Sequence, residues 1–157
     1  MVRRLNYDYV LIRAVYGGFE EGNCIFKEES YAMKIRMEGN SVRLRLRRSE
    51  VEALAREGQV VQQVTFPQGD WHYTLQLDAS RTHPDAILAT GGITLMLPQA
   101  WGRAWAVNET IGFSHSLALP GGGTLDLLVE KDFVCLDRDL EGQEDQYPHP
   151  KSDPPKC

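Results

Sequence analysis

Between Met33 and Gly58 the apolar and charged positions follow first a period of two and then a period near that of a helix. Ile35 and Met37 alternate with Lys34, Arg36 and Glu38; beyond Gly39-Asn40-Ser41, Val42, Leu44 and Leu46 alternate with Arg43, Arg45 and Arg47. Side chains alternate across a strand, so each segment is predicted to have one apolar and one charged face. Gly and Asn accept the positive φ of a tight turn, which makes a hairpin the expected link. Pairing would then place Lys34, Arg36, Arg43, Arg45 and Arg47 on one face. The period changes next: Ser49 with Glu52 fits a capping box, Val51, Leu54 and Ala55 have helical spacing, and Gly58 stands where a C-cap is expected.

Further along, Val60 to Phe66 is rich in β-branched residues, and Pro67-Gln68-Gly69-Asp70 turns it into an alternating strand with Trp71, Tyr73, Leu75 and Leu77 on one face. Ala79 to Thr90 lacks a pattern, contains Pro84, and reads as loop. Ile93 to Leu97 reads as a strand, and Pro98 suits the start of a short helix over Gln99 to Ala106, where its missing N–H costs nothing. Ile111 to Leu119 and Thr124 to Cys135 form a last pair of strands about Pro120-Gly121-Gly122-Gly123. Asp126, Glu130 and Asp132 share one side of the final strand. Strands outnumber helices and most are joined by short turns. The expected fold is α+β, a mainly antiparallel, partly closed sheet or barrel with two short helices, and the pattern shows no internal repeat.

At 157 residues the chain has room for one domain with a real core. Residues 33–136 read as that domain. Residues 137–157 read as an acidic, Pro-rich tail, extended or disordered. Residues 1–32, polar and aperiodic around E-E-G-N-C, read as an upstream extension that need not be native; an added edge strand over Tyr7 to Tyr16 is the alternative. The net charge of -5 argues against a general nucleic-acid binder. Its distribution is uneven: Met33 to Arg48 holds six basic residues and one acidic, whereas Leu136 to Cys157 holds six acidic and three basic. Three scattered cysteines make no disulfide framework. No apolar run approaches a membrane span, and no signal peptide is evident, so a cytoplasmic location is the expectation.

The run M-K-I-R-x-x-G-N-S-V-R-L-R-L from Met33, the S-E-V helix start and the later L-V-E-K-D-F-V-C-L resemble a family of small bacterial proteins of unknown function. That likeness runs from Met33 to Cys157 and brings neither catalytic residues nor a ligand. A fainter likeness is to the triphosphate-tunnel enzymes, barrels that point charged strands inward. Their E-x-E-x-K signature is absent, since the matching strand reads Lys34-Ile35-Arg36-Met37-Glu38.

Three chemistries compete. Five cations on one hairpin face repel unless neutralised, and phosphate would answer, because Arg meets it with a planar fork of donors. Lys34, Arg36, Arg43, Arg45 and Arg47 are thus a candidate anion site, for a small ligand or an acidic protein surface. A cross-strand ladder with Asp126, Glu130 and Asp132 would neutralise them equally well. Cys135, His149 and Cys157 carry metal-ligand chemistry, so a divalent metal is conceivable, but no C-x-x-C spacing supports it and Cys135 suits a core strand end. No cofactor is expected. Ser114-His115-Ser116 resembles a catalytic dyad, yet neighbours in a strand point to opposite faces. Trp101 and Trp105 suit core packing on one helical face. With no catalytic residue assigned, a binding or accessory domain is the first reading. The alternatives are a phosphohydrolase-like barrel enzyme and a metal-binding protein using the tail.

Overall fold

The computed structural model describes residues 33–134 and 143–149. The alternating stretch forms β1 (Lys34–Glu38) and β2 (Ser41–Leu46), an antiparallel hairpin turned at Gly39 and Asn40. Helix α1 (Arg48–Glu57) follows, then a second hairpin of β3 (Gln59–Phe66) and β4 (Gly69–Asp78). The same order then recurs: β5 (Asp85–Ala89), β6 (Gly92–Pro98), α2 (Gln99–Trp105), β7 (Gly112–Ala118) and β8 (Thr124–Lys131).

Each sheet takes one hairpin from each half of the chain. A parallel β2–β8 pairing builds the first sheet in the order β1-β2-β8-β7, and a parallel β4–β6 pairing builds the second in the order β3-β4-β6-β5. The registers match as well. Lys34 opposite Arg45 corresponds to Asp85 opposite Met96, Gln59 opposite Gln76 to Gly112 opposite Glu130, and Ser41 opposite Asp126 to Gly92 opposite His72. The chain therefore does contain an internal repeat, contrary to the reading of its sequence. The repeat is hidden because only the backbone pairing and the inward positions are shared; Arg43 and Arg45 correspond to Thr94 and Met96.

The fold is α+β with mainly antiparallel pairing and two short helices, as expected, but the strands form two separate sheets that do not close into a barrel. Strand β5 lies within Ala79 to Thr90, where a loop was expected. Its D-A-I-L-A has no apolar–polar alternation, so its strand character comes from pairing with β6.

One core joins both sheets and both helices: Val42, Leu44, Leu46, Leu127 and Val129 from the first sheet, Tyr73, Leu75, Ile93, Leu95 and Leu97 from the second, and Val51, Leu54 and Trp105 from the helices. Burying each such Leu is worth roughly 1.5–3 kcal/mol. Helix α1 begins two residues earlier than its expected capping box. Arg47 is the N-cap, and its N–H donates to Glu50 Oε2 at 2.9 Å. At the other end Gly58 adopts φ +84° and donates to Leu54 O at 2.9 Å, the left-handed cap the sequence suggested. Gly102 of α2 is needed for space: a Cβ there would fall 2.1 Å from Leu77 Cδ2 of β4.

Residues 143–149 are packed as a strap, where the sequence suggested only an extended or disordered tail. Tyr147 N–H donates to Asp132 O at 2.8 Å, and Val134 N–H donates to Tyr147 O at 2.9 Å. The Asp145 carboxylate accepts from the Ser49 N–H at 3.0 Å and from the Ser49 hydroxyl, capping α1 from outside the helix. The Lys131 ammonium lies 4.8 Å from the Tyr147 ring centroid and the Arg48 guanidinium 5.5 Å.

Candidate functional site

The outward side of the first sheet gathers the charged residues that the alternation singled out. Across its strands run three rows: Lys34, Arg45, Glu130 and Gly112; Arg36, Arg43, Leu128 and Ser114; Glu38, Ser41, Asp126 and Ser116. Val42, Leu44 and Leu46 point the other way into the core, which fixes the cations outward.

The expected acidic strand does lie alongside. Glu130 Oε1 accepts from Arg43 Nη2 at 2.5 Å and from Arg45 Nε at 2.6 Å, and its side chain is only 14% exposed. Asp132 Oδ2 accepts from Lys34 Nζ at 2.7 Å and from Gln146 Nε2 at 2.8 Å, so the strap and the hairpin share one buried carboxylate. Arg36 pairs with Glu38 along its own strand, where both are largely exposed. Four of the five candidate cations thus take part in ion pairs. The fifth, Arg47, stands apart at the start of α1, where its charge acts on Glu50.

Below this ladder the face sinks into a depression of about 640 Å³ between Arg36, Ser41 and Arg43 on one hairpin and Ser114, Ser116 and Asp126 on the other. Ser116 Oγ donates to Asp126 Oδ1 at 2.6 Å. The Nε groups of Arg43 and Arg47 are buried without a hydrogen-bond partner. A buried donor left unmet is costly to the fold.

His115 points away from its two serines, as strand geometry requires. It is half-buried and stacks on His83 with ring centroids 4.4 Å apart. Trp105 is fully buried, Trp101 is 39% exposed, and Phe113 lies against both, at 5.1 Å and 5.4 Å. Of the metal candidates, His149 belongs to the strap, while Cys135 and Cys157 lie outside the described residues, as does the Tyr7 to Tyr16 segment. Among the described residues no group of three or more His, Cys, Asp or Glu is placed to hold a metal ion, and no helix is long and apolar enough to cross a membrane.

Sequence reasoning missed Glu50. It is fully buried, and burial pushes its carboxyl above the ordinary 4.5, while the Arg47 and Met33 N–H groups and the charge of Arg47 pull it back. Gln62 approaches its other oxygen at 3.4 Å, and the Tyr73 hydroxyl donates to Met33 O at 2.5 Å. Glu50 also borders a depression of about 400 Å³ with Ser49, Ala53, Arg56 and Gln62. With its oxygens facing backbone N–H groups it serves as a cap that ties α1 to the entry of β1. The signal in the sequence was the acidic residue three places after Arg47, hidden because Arg is a rare N-cap.

A model of a family of unknown function (DUF7009) matches residues 33–151 of the chain. No curated protein and no solved structure matches it.

Proposed function

The chain belongs to that family of unknown function, so its role must come from the site itself, and we propose a binding domain that holds a small anionic group on the outward face of its first sheet. The observation that carries this reading is the depression of about 640 Å³, flanked by the Arg36 and Arg43 guanidinium groups and by the Ser114 hydroxyl. Arg43 already meets Glu130 through Nη2, so the carboxylate orients the guanidinium and leaves its remaining donors for a ligand. Ser114 adds a hydroxyl donor that adapts to a phosphate or a carboxylate, while Ser41 and Ser116 already donate to Glu38 O and Asp126 Oδ1. Arg45 and Lys34 act as ladder residues, supporting the face without lining the depression. The barrel-enzyme reading loses its premise, because the charged face looks outward and the two sheets stay separate.

Thermal unfolding in the presence of inorganic tripolyphosphate tests the proposal. The melting temperature of the unaltered chain is expected to rise, because a ligand that binds only the folded state stabilises it. In the double variant Arg36→Gln, Arg43→Gln the rise is expected to vanish while the chain stays folded. No rise in the unaltered chain, or an equal rise in both, overturns the reading.

A further inference from the structure

Strand β1 has a second side that the anion site does not use. It is one of the two edge strands of the first sheet among the described residues, and its inward-phase residues are only partly covered: Ile35 is half-buried and Met37 is 54% exposed. The tip of the β3–β4 hairpin brings Phe66, 51% exposed, and Trp71 beside them. Between these side chains runs a groove of about 630 Å³ whose walls are mainly apolar. A strand edge thus borders an apolar groove, while the charged face begins on the other side of the same strand.

We propose that this edge and groove take up an extended segment of a partner protein as an additional strand, its alternate residues apolar and acidic. An open strand edge offers backbone N–H and C=O groups for pairing, which is how sheets capture extended peptides. The period of two sorts the peptide's side chains: one set enters the groove against Ile35, Met37, Phe66 and Trp71, and the other lies on the outward face. There it meets Lys34 and Arg36, whose side chains are 50% and 65% exposed, and an acidic residue opposite a cation stabilises a strand pair. A second copy of this chain fits less well, since β1 paired antiparallel with its copy along its full length sets Arg36 against Arg36. Asp70, at the groove's other wall, is already engaged by Thr65 Oγ1 at 2.8 Å.

The test uses the full chain and a fluorescein-labelled peptide of sequence Glu-Val-Glu-Ile-Glu-Val-Glu, followed by fluorescence anisotropy. Binding is expected that weakens as salt is raised, disappears when alternate peptide amides are N-methylated, and falls about tenfold or more in Met37→Asp and in Phe66→Ser. Absence of binding, insensitivity to N-methylation, or affinity unchanged from the unaltered chain in both variants overturns the proposal. So does sedimentation showing a dimer of the full chain that Met37→Asp dissociates, because the groove would then hold a second copy. Neither Met37 nor Phe66 lines the depression, so the tripolyphosphate response of these variants reports on the anion site separately.

Discussion

The two sheets have the same strand order and the same registers, yet their outward faces differ at almost every equivalent position. Where the first sheet carries Lys34, Arg36, Arg43, Arg45 and Glu130, the second carries Asp85, Ile87, Thr94, Met96 and Gln76. The inward positions change far less: Leu44 corresponds to Leu95 and Leu46 to Leu97, all buried. The backbone architecture therefore does not require the charges. A face with Thr, Gln, Ile and Met and the single carboxylate of Asp85 at these places covers the same frame, so the cluster of cations and their carboxylates marks the first sheet as the face with a separate role.

The largest effects should show where the sheets are alike. Leu44→Ala and Leu95→Ala each empty a fully buried site on a central strand, and each is expected to lower stability by about 2–5 kcal/mol in urea unfolding. Costs that differ by several kcal/mol would show that the repeated topology does not carry repeated packing.

The next test separates the faces. Glu130→Gln weakens a carboxylate shared by two guanidinium groups and is expected to cost about 1–2 kcal/mol, moderated because Arg45 is well exposed. Gln76→Ala, at the equivalent place, should stay within about 0.5 kcal/mol. High salt should shrink the first cost and leave the second unchanged. Equal costs would remove the distinction drawn between the faces.

The smallest effect concerns the helices. Glu50 occupies the third position of α1, where α2 has Trp101. Because burial raises the Glu50 carboxyl, the folded chain keeps a proton that the unfolded chain releases just above the ordinary 4.5. The contribution of this group is therefore greatest at or below that value and declines as pH rises through the folded value. Glu50→Gln should flatten the fall in stability on that side, with little loss at neutral pH. Parallel stability–pH curves for the two proteins would refute the assignment.

Much of this was legible in the chain itself. Strict alternation gave β1, β2, β4 and β8, Gly58 gave the end of α1, and Lys34, Arg36, Arg43 and Arg45 do share one face, whereas Arg47 caps the helix instead. The partner of Glu130 could be guessed, but not the parallel pairing that delivers it, since nothing local distinguishes a parallel neighbour 87 residues away. Strand β5 was missed because its Ala, Ile and Leu have no alternating polar partner. The strap was missed because Asp145 and Tyr147 act through α1 and β8, distant in sequence and uninformative as a run of polar residues. Glu50 was missed because tertiary burial, not spacing, gives it its character.

The exchange of hairpins also sets a timetable for synthesis. The second sheet uses four strands that leave the ribosome consecutively, β3 to β6, whereas the first is assembled from the opening hairpin and the closing one. Arg43 waits 87 residues for Glu130, which at a translation rate of about 5–20 residues per second is an interval on the order of 5–20 s. During it Val42, Leu44 and Leu46 have no β8 to pair with, and charged side chains such as those of this hairpin are a general means of discouraging pairing with neighbouring chains. Like charges that the finished protein neutralises with Glu130 and Asp132 thus act first as a guard on a nascent strand.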